Sequence, residues 1–263
     1  MALIKCTECG KEISDRAAMC INCGCPISCI LADHKKIQMT PLKEKEYFIK
    51  EQGYAELIKK WEPSAQECKR ISTGWLAQQW EENDKEKLHS LFSRYPYSIK
   101  VEEVKQKVRV LDKVYSTQIH RFNPEKGIQI VVYHICSISE IDERLSGGDI
   151  SVVDEIANTK DKLGKNVFSF ATKYSYFSNP KVFPICDKNV CTILRNLNMH
   201  ECFYADKIPA EASELPKVGG VQGWKQIIDA FKSHFNIQQF SYREIDLYLS
   251  IKFRELNGII KKY

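Results

Sequence analysis

Four cysteines near the start of the chain have the spacing of metal ligands. Two residues separate Cys6 from Cys9, two separate Cys20 from Cys23, and ten lie between the pairs. Each pair can present two thiolates to one ion, and two pairs supply the four sulfurs that structural Zn²⁺ prefers. A redox Cys-x-x-Cys pair or unstructured thiols are the alternatives. The doubled spacing predicts a closed zinc site whose metal holds a small unit folded.

A single carboxylate, Asp187, follows an apolar stretch and precedes a run with helical spacing, in "KVFPICDKNVCTILRNL". Aspartate is well suited to cap a helix start, and taken alone the residues favour that role. A carboxylate placed at the end of an apolar segment can also stabilise positive charge or activate water. One side chain can serve both purposes.

The stretch "TKDKLGKN", residues 159–166, has the parts of a phosphate-binding turn. Gly164 allows a close approach of the backbone, and the free N–H groups of a helix start attract anions. Lys160, Lys162 and Lys165 add charge that can anchor DNA without reading its sequence. A solvated, lysine-rich turn is the alternative.

The composition is that of a globular protein, with 43% apolar and 28% charged residues in 263. The formal charge of +5 permits nucleic-acid binding without requiring it. No apolar run reaches about 18 residues, and the N-terminus lacks a secretory signal, so we expect a cytoplasmic protein without a membrane contact. In that compartment the eleven cysteines are expected to be metal ligands or buried thiols.

These residues must be positioned mainly by helices. Apolar periodicity predicts helices within residues 41–62, 84–95, 151–159 and 240–256, and another from 99 that ends near 122–124. Residues 125–138 suit either a helix or a strand, because they are rich in β-branched side chains. We predict a mostly α protein with a zinc-binding unit at 1–28, a linker at 29–42 and a helical domain at 43–263.

Residues 161–197, "DKLGKNVFSFATKYSYFSNPKVFPICDKNVCTILRNL", resemble the signature of the helix-hairpin-helix DNA glycosylase superfamily. There a glycine-bearing hairpin opens a helix, an apolar-Pro-apolar stretch follows, and an aspartate starts the next helix. "FPICDKNVCTIL" is similar to this segment in bacterial adenine glycosylases. "LDKVYSTQIHR", residues 111–121, resembles a helix whose tip faces the damaged strand in 8-oxoguanine glycosylases. The cysteine pairs resemble the zinc ribbons of many prokaryotic proteins.

This resemblance implies two helical subdomains with a cleft between them, preceded by a zinc ribbon, with the hairpin and catalytic motif at 158–197. It implies a DNA N-glycosylase in which Asp187 stabilises the sugar cation and activates water. We expect a monofunctional enzyme. The Schiff-base lysine of bifunctional members would fall near residues 166–168, so Lys165, one residue away, is the candidate nucleophile.

The resemblance also implies which residues contact DNA and the flipped base. The DNA-binding candidates come from the hairpin and the helix tip: Lys160, Lys162, Gly164, Lys165, Asn166, Ser116, Thr117 and Gln118. Tyr115 and Lys173 are candidates for the base pocket, although we expect the Lys173 side chain to reach the surface instead. Trp75, Trp80 and Trp224 either stack on a base or belong to the core.

The expected partner is double-stranded DNA, bound by a monomer, while the ribbon would contact DNA or another protein. The substrate would be a repair lesion or, in antiviral defence, a hypermodified base such as glucosylated cytosine in phage DNA. The alternative function is a non-catalytic DNA-binding or adaptor protein. In that case the hairpin would bind phosphates, the ribbon would bind a partner, and Asp187 would only cap its helix.

Overall fold

The computed structural model describes residues 3–6, 11–14, 17–23, 27, 53–54, 56–117, 119, 124–159, 167–209 and 212–258. They belong to two compact units, Met1–Ala55 and Glu56–Tyr263. The linker predicted at 29–42 lies outside the described residues. Within those residues, no helix is both long and apolar enough to cross a membrane.

The first unit contains a small antiparallel hairpin. Strand β1 (Leu3–Lys5) pairs with β2 (Glu12–Ser14), with Ile4 opposite Ile13. Behind the hairpin, Cys6, Ile13 and Cys20 form a buried cluster. Two of the three buried side chains in this cluster are thiols, so it offers little apolar surface to stabilise the fold by itself.

The second unit is mainly helical, which confirms the mostly α prediction. Its α-helices are α1 (Ala65–Ser72), α2 (Trp75–Asp84), α3 (Ser90–Arg94), α4 (Val101–Tyr115), α5 (Pro124–Cys136), α6 (Ile141–Gly147), α7 (Ser151–Ala157), α8 (Phe168–Ser178), α9 (Lys188–Glu201), α10 (Gly220–His234) and α11 (Tyr242–Leu256). A π-helical turn (Lys85–His89) precedes α3, and a 3₁₀ segment (Ala212–Val218) precedes α10.

Local sequence explains where several helices begin and end. Ser64 caps α1, and Ser241 forms a capping box with Glu244 at the start of α11. Most of the ambiguous stretch 125–138 is helical, since α5 extends to Cys136. The end predicted for α4 is wrong by about two turns, because Ser116 adopts a left-handed conformation with φ of 49° and stops the helix after Tyr115.

Helices that are distant in the sequence pack against one another. Helix α11 contacts both α1 and α9, α4 contacts α5, and α8 contacts α7 and α4. Glu67 of α1 ties this arrangement together, since its carboxylate accepts hydrogen bonds from Trp61 Nε1 at 2.7 Å, Tyr248 Oη at 2.6 Å and Lys252 Nζ at 2.8 Å. Burial opposes the charge, but these hydrogen bonds outweigh it and lower the pKa of Glu67.

A second buried charge, that of Lys107 in α4, contacts the segment that precedes this helix. Lys107 is fully buried, and its Nζ donates to the carbonyl oxygen of Tyr97 at 3.0 Å. The same ammonium lies 5.0 Å from the ring centre of Phe92 and 5.3 Å from that of Tyr174. Because burial disfavours the charged form, the pKa of Lys107 falls to about 8.

Candidate functional site

Asp187 is the N-cap of α9, as its sequence context predicts. Its Oδ1 accepts a hydrogen bond from the backbone N–H of Asn189 at 2.9 Å. Cys186 and Cys191 flank this cap with their sulfur atoms 3.5 Å apart, in the positions of a hydrophobic staple. The cap uses one carboxylate oxygen and leaves the side chain about a third exposed, at 34%.

Lys173, on α8, lies beside this carboxylate. Its Nζ is 3.7 Å from Oδ2 of Asp187, and only 1% of its side chain is exposed. The surface location expected for Lys173 is therefore wrong. Helix α8 is buried along almost all of its length, so no solvent-facing side was available to the lysine.

Three side chains of α8 hold the peptide that precedes Asp187. The carbonyl oxygen of Cys186 accepts hydrogen bonds from Lys173 Nζ at 2.8 Å and Ser169 Oγ at 2.9 Å. The N–H of Cys186 donates to Thr172 Oγ1 at 3.1 Å. Because these residues are three and four apart on one helix face, they fix both the backbone and the lysine relative to Asp187.

Trp224 fixes the preceding residue from another direction. Its ring is fully buried, and Nε1 donates to the carbonyl oxygen of Ile185 at 3.0 Å. Trp224 is thus a core residue, which was one of the two roles predicted for it. Trp75 is 60% exposed on α2, whereas Trp80 lines the cleft described next.

A cleft of about 460 Å³ opens beside Asp187 and Lys173. Its walls come from α2, α4, α8, α9 and α11, and from the residues just before α9. The lining residues are Trp80, Val114, Tyr115, Ser116, Lys173, Ile185, Asp187, Asn189, Arg243, Asp246, Ser250 and Arg254. A concave site of this size, with a few charged groups among aromatic and apolar walls, is suited to a small ligand or one nucleotide.

One wall of the cleft is a polar stripe on α11. Arg243, Asp246, Ser250 and Arg254 follow one another at intervals of three and four residues, which places them on one helix face. Arg243 donates to Glu81 of α2 and, from Nη1, to Asp246 Oδ2 at 2.7 Å. Sequence reasoning treated α11 only as an amphipathic helix and missed this stripe, although its spacing was visible.

The tip of α4 supplies the opposite edge of the cleft. Tyr115 lies with its ring centre 5.3 Å from Lys173 Nζ, and Ser116 is exposed beside it. Thr117 does not line the cleft, and its hydroxyl donates to Asp112 Oδ1 at 2.5 Å. Asp112 also accepts the N–H of Ile119 at 3.1 Å, so this carboxylate shapes the turn.

The structure thus brings together Asp187, Lys173, Tyr115 and Ser116 among the predicted DNA and base contacts. The remaining candidates lie outside the described residues: Gln118, Lys160, Lys162, Gly164, Lys165 and Asn166.

The Cys186 thiol, next to the cap, is a poor nucleophile. Cys186 is fully buried, and burial together with the neighbouring Cys191 thiol raises its pKa well above the ordinary value. A thiol that stays protonated is a poor nucleophile. The chemistry available at this cleft therefore rests on the carboxylate and the amine.

A second cluster of chemically competent groups lies in the first unit. The sulfur atoms of Cys6, Cys20 and Cys23 all lie within 4.8 Å of one another, and those of Cys6 and Cys23 are 3.6 Å apart. Cys6 and Cys20 are buried, and Cys23 is exposed. This grouping can hold a metal ion, while the predicted fourth ligand, Cys9, lies outside the described residues.

Comparison with known proteins gives a family but no activity. A family model described as HI_0787_N, N-terminal domain, matches residues 58–182. A relative in Haemophilus influenzae, which bears the name "Uncharacterized protein", is 32% identical over 157 residues, covering 59% of this chain and 69% of the relative. No solved structure matches the chain. The extent of the match to this relative shows that the chain belongs to the same family as the Haemophilus protein.

Proposed function

We propose that this protein is a DNA N-glycosylase that receives an everted base in the cleft beside Asp187 and cuts its bond to deoxyribose. The single observation that carries the proposal is the pairing of Lys173 Nζ with Asp187 Oδ2 at 3.7 Å on the cleft wall. The resemblance of residues 161–197 to helix-hairpin-helix glycosylases supports the same conclusion independently of the pair.

The carboxylate has the location that this chemistry requires. Breaking a base–sugar bond develops positive charge on the sugar, which a nearby carboxylate stabilises. Asp187 is held by its cap hydrogen bond, so it needs no reorganisation when charge develops. Its second oxygen, Oδ2, is the one on the side of Lys173.

Lys173 favours a bifunctional route over the monofunctional one expected from sequence. In this route Lys173 Nζ gives a proton to Asp187 and attacks C1′ of the sugar as a neutral amine. The N-glycosidic bond breaks, its electron pair leaves with the base, and Asp187 passes the proton it received to the base. Opening of the sugar ring transfers one proton from Nζ to O4′ and gives a protonated imine between Nζ and C1′. Lys173, rather than Lys165, is then the nucleophile.

The N-terminal unit is proposed to be a structural zinc ribbon. Its described thiolates are soft donors of the kind that select Zn²⁺, and Cys9 would complete the set. A closed four-sulfur site leaves no position open for a substrate. The ribbon would contact DNA or a partner protein.

The decisive experiment is base release from a panel of duplexes. The panel contains oxidised, alkylated, deaminated and mismatched bases, together with phage DNA carrying glucosylated cytosine. We expect free base from one substrate, reduced at least about 100-fold in Asp187→Asn. Asp149→Asn is the matched control, since Asp149 also accepts a backbone N–H, that of Ser151, and pairs with a cation, Arg144, but does not line the cleft.

Borohydride separates the two routes. An imine reduced in place becomes a stable protein–DNA adduct, which we expect for the wild type and not for Lys173→Gln. Lys252→Gln is the control, because Lys252 is also buried and paired with a carboxylate, but away from the cleft. Base release without an adduct supports a water nucleophile. DNA binding without release of any base supports the adaptor function instead.

A further inference from the structure

We infer that Arg254, seated on Trp80, selects the base, and that the base it selects is a purine of the guanine class. This inference rests on the proposed function, because it assumes that the cleft receives an everted base. The inference goes beyond the proposed function because it names the class of the substrate base and the residue that recognises this base.

The first observation is a stacked pair on the cleft wall. The guanidinium carbon of Arg254, on α11, lies 4.6 Å from the ring centre of Trp80, on α2, and both residues line the cleft. Tryptophan is the aromatic side chain that attracts a cation most strongly. Stacking restricts the rotamers of the arginine and so presents a preorganised, planar set of N–H donors.

The second observation is that the other guanidinium of the cleft is already engaged. Arg243 is held between the carboxylates of Glu81 and Asp246, and its side chain is only 12% exposed. Among the described residues, no carboxylate pairs with Arg254. Arg254 is therefore the cleft arginine whose donors remain available to a ligand.

The donor pattern of the arginine selects the ligand. A guanidinium offers only donors, and its fork geometry matches two neighbouring acceptors in one plane. Guanine presents such a pair at O6 and N7, whereas adenine places an amino donor beside N7. Cytosine has a pair at O2 and N3, but O2 adjoins the glycosidic nitrogen, on the side of the base where Asp187 and Lys173 are proposed to act. A base with a donor at that edge would leave Arg254 facing another donor.

A phosphate group also matches the fork of an arginine, but the location favours a base edge. Arg254 shares its cleft with Lys173 and Asp187, the two groups proposed to act at C1′ of the same nucleotide. If cleavage occurs in this cleft, the reacting sugar and its base must both lie inside it, so the base edge occupies the space that Arg254 lines.

The test uses matched duplexes that differ at one base. The bases are a guanine alkylated at N2, which keeps its O6 and N7 acceptors, its 7-deaza analogue without the N7 acceptor, an alkylated adenine and a modified cytosine. We expect the wild type to release the guanine-class base and to discriminate against the 7-deaza analogue by about 10- to 100-fold. This comparison uses only the wild-type protein, so its result does not depend on whether a variant folds.

Substitutions then assign the discrimination. Arg254→Met should abolish the preference, Arg254→Lys should recover little of it, and Trp80→Leu should weaken it. Arg109→Met removes the same charge from an exposed position on α4 outside the cleft and should keep the preference. Binding of each duplex to Asp187→Asn measures recognition separately from bond cleavage.

The outcomes distinguish this inference from the proposed function. If no base is released from these duplexes or from the wider panel described above, the proposed function fails. If a base is released from the wider panel but none from the guanine-class duplexes, the inference alone fails. If a cytosine or adenine is released preferentially, or if Arg254→Met keeps the guanine preference, the inference fails while the glycosylase stands. A uniform loss of binding in Arg254→Met, with a salt dependence reduced by about one ion, would assign Arg254 to a phosphate and overturn base selection.

Discussion

Gly220, at the start of α10, lies directly against the carboxylate of Asp154 on α7. A Cβ atom at Gly220 would stand 2.4 Å from Asp154 Oδ1, and the residue has φ of +58°. The Asp154 carboxylate accepts the N–H of Val221 at 3.2 Å, so one helix caps another. Glycine is required here both for the backbone conformation and for the space.

Gly220→Ala is therefore expected to lower the free energy of unfolding by about 1–3 kcal/mol. Because α10 carries Trp224, which holds Ile185 in the cleft, base release should fall as well. Gly147→Ala is the control, since its added Cβ meets nothing within 4 Å. Urea unfolding of the two variants measures the difference, and equal stability would contradict the packing described.

Substitutions at Asp187 should separate its structural and chemical roles. Asparagine can still accept the N–H of Asn189, so Asp187→Asn should lose base release with little change in stability. Asp187→Ala loses the cap as well and should unfold more easily by about 1 kcal/mol. Thermal unfolding and base release, measured on both variants, test the separation. Full activity in Asp187→Asn would reduce the residue to a helix cap.

The buried Lys107 predicts an unusual pH dependence of stability. Its pKa is about 8 in the folded protein, against 10.5 ordinarily. Between these pH values the unfolded chain binds more protons than the folded one. The contribution of Lys107 to the free energy of unfolding therefore increases with pH, by up to about 1.4 kcal/mol per pH unit.

Lys107→Met should remove that contribution, and its stability relative to the wild type should decline steadily from pH 8 to pH 10. Urea unfolding at several pH values measures it. Lys113→Met, on the same helix but exposed, should follow the wild type at every pH. A constant difference between Lys107→Met and the wild type would show that the lysine titrates normally.

We predict that Thr117 stabilises the turn after α4 and does not contact DNA, the role predicted for it from the sequence. Thr117→Val keeps the shape of the side chain but removes its bond to Asp112, so we expect a loss of about 1 kcal/mol in stability. The affinity for DNA should stay unchanged. A clear fall in that affinity, without a loss of stability, would return Thr117 to the DNA contacts.

The thiol cluster predicts that the purified protein binds zinc through its first unit. Cys6→Ser should lose bound zinc, as measured by metal analysis. Cys202→Ser, an exposed cysteine of the second unit, should retain it. Equal zinc content in the two variants would contradict the prediction and show that this cluster does not bind zinc.

Sequence periodicity predicted helices at α3, α4, α7 and α11, and local sequence predicted the place of Asp187, whereas α1, α2, α6 and α10 were not predicted. An aspartate between an apolar stretch and a helical run is a strong local signal for a helix N-cap, and Asp187 is the N-cap of α9. The end of α4 was missed because Ser116 stops the helix by adopting a conformation that serine rarely takes. In α5, tertiary packing buries β-branched residues on a helix in spite of their strand propensity.

The cleft was harder to predict because it depends on contacts between distant segments. Lys173 had a signal that went unused: it interrupts the helix "FSFATKYSYFS", which has no polar face to carry a lysine to solvent. The stripe on α11 could be seen as a spacing, but its direction depends on packing against α1 and α9. Nothing near Arg254 in the sequence indicates that Trp80 lies beneath it.

The double use of Asp187 has a practical consequence. Since one oxygen starts α9 and the other faces Lys173, replacement by asparagine switches off the proposed chemistry while the fold retains its hydrogen bond. A variant of this kind is a natural trap: it can hold an intact substrate long enough to be crystallised or captured from cellular DNA. Because Asp187 is also a helix cap that asparagine can replace, the Asp187→Asn variant offers a way to isolate the substrate that binds in the cleft.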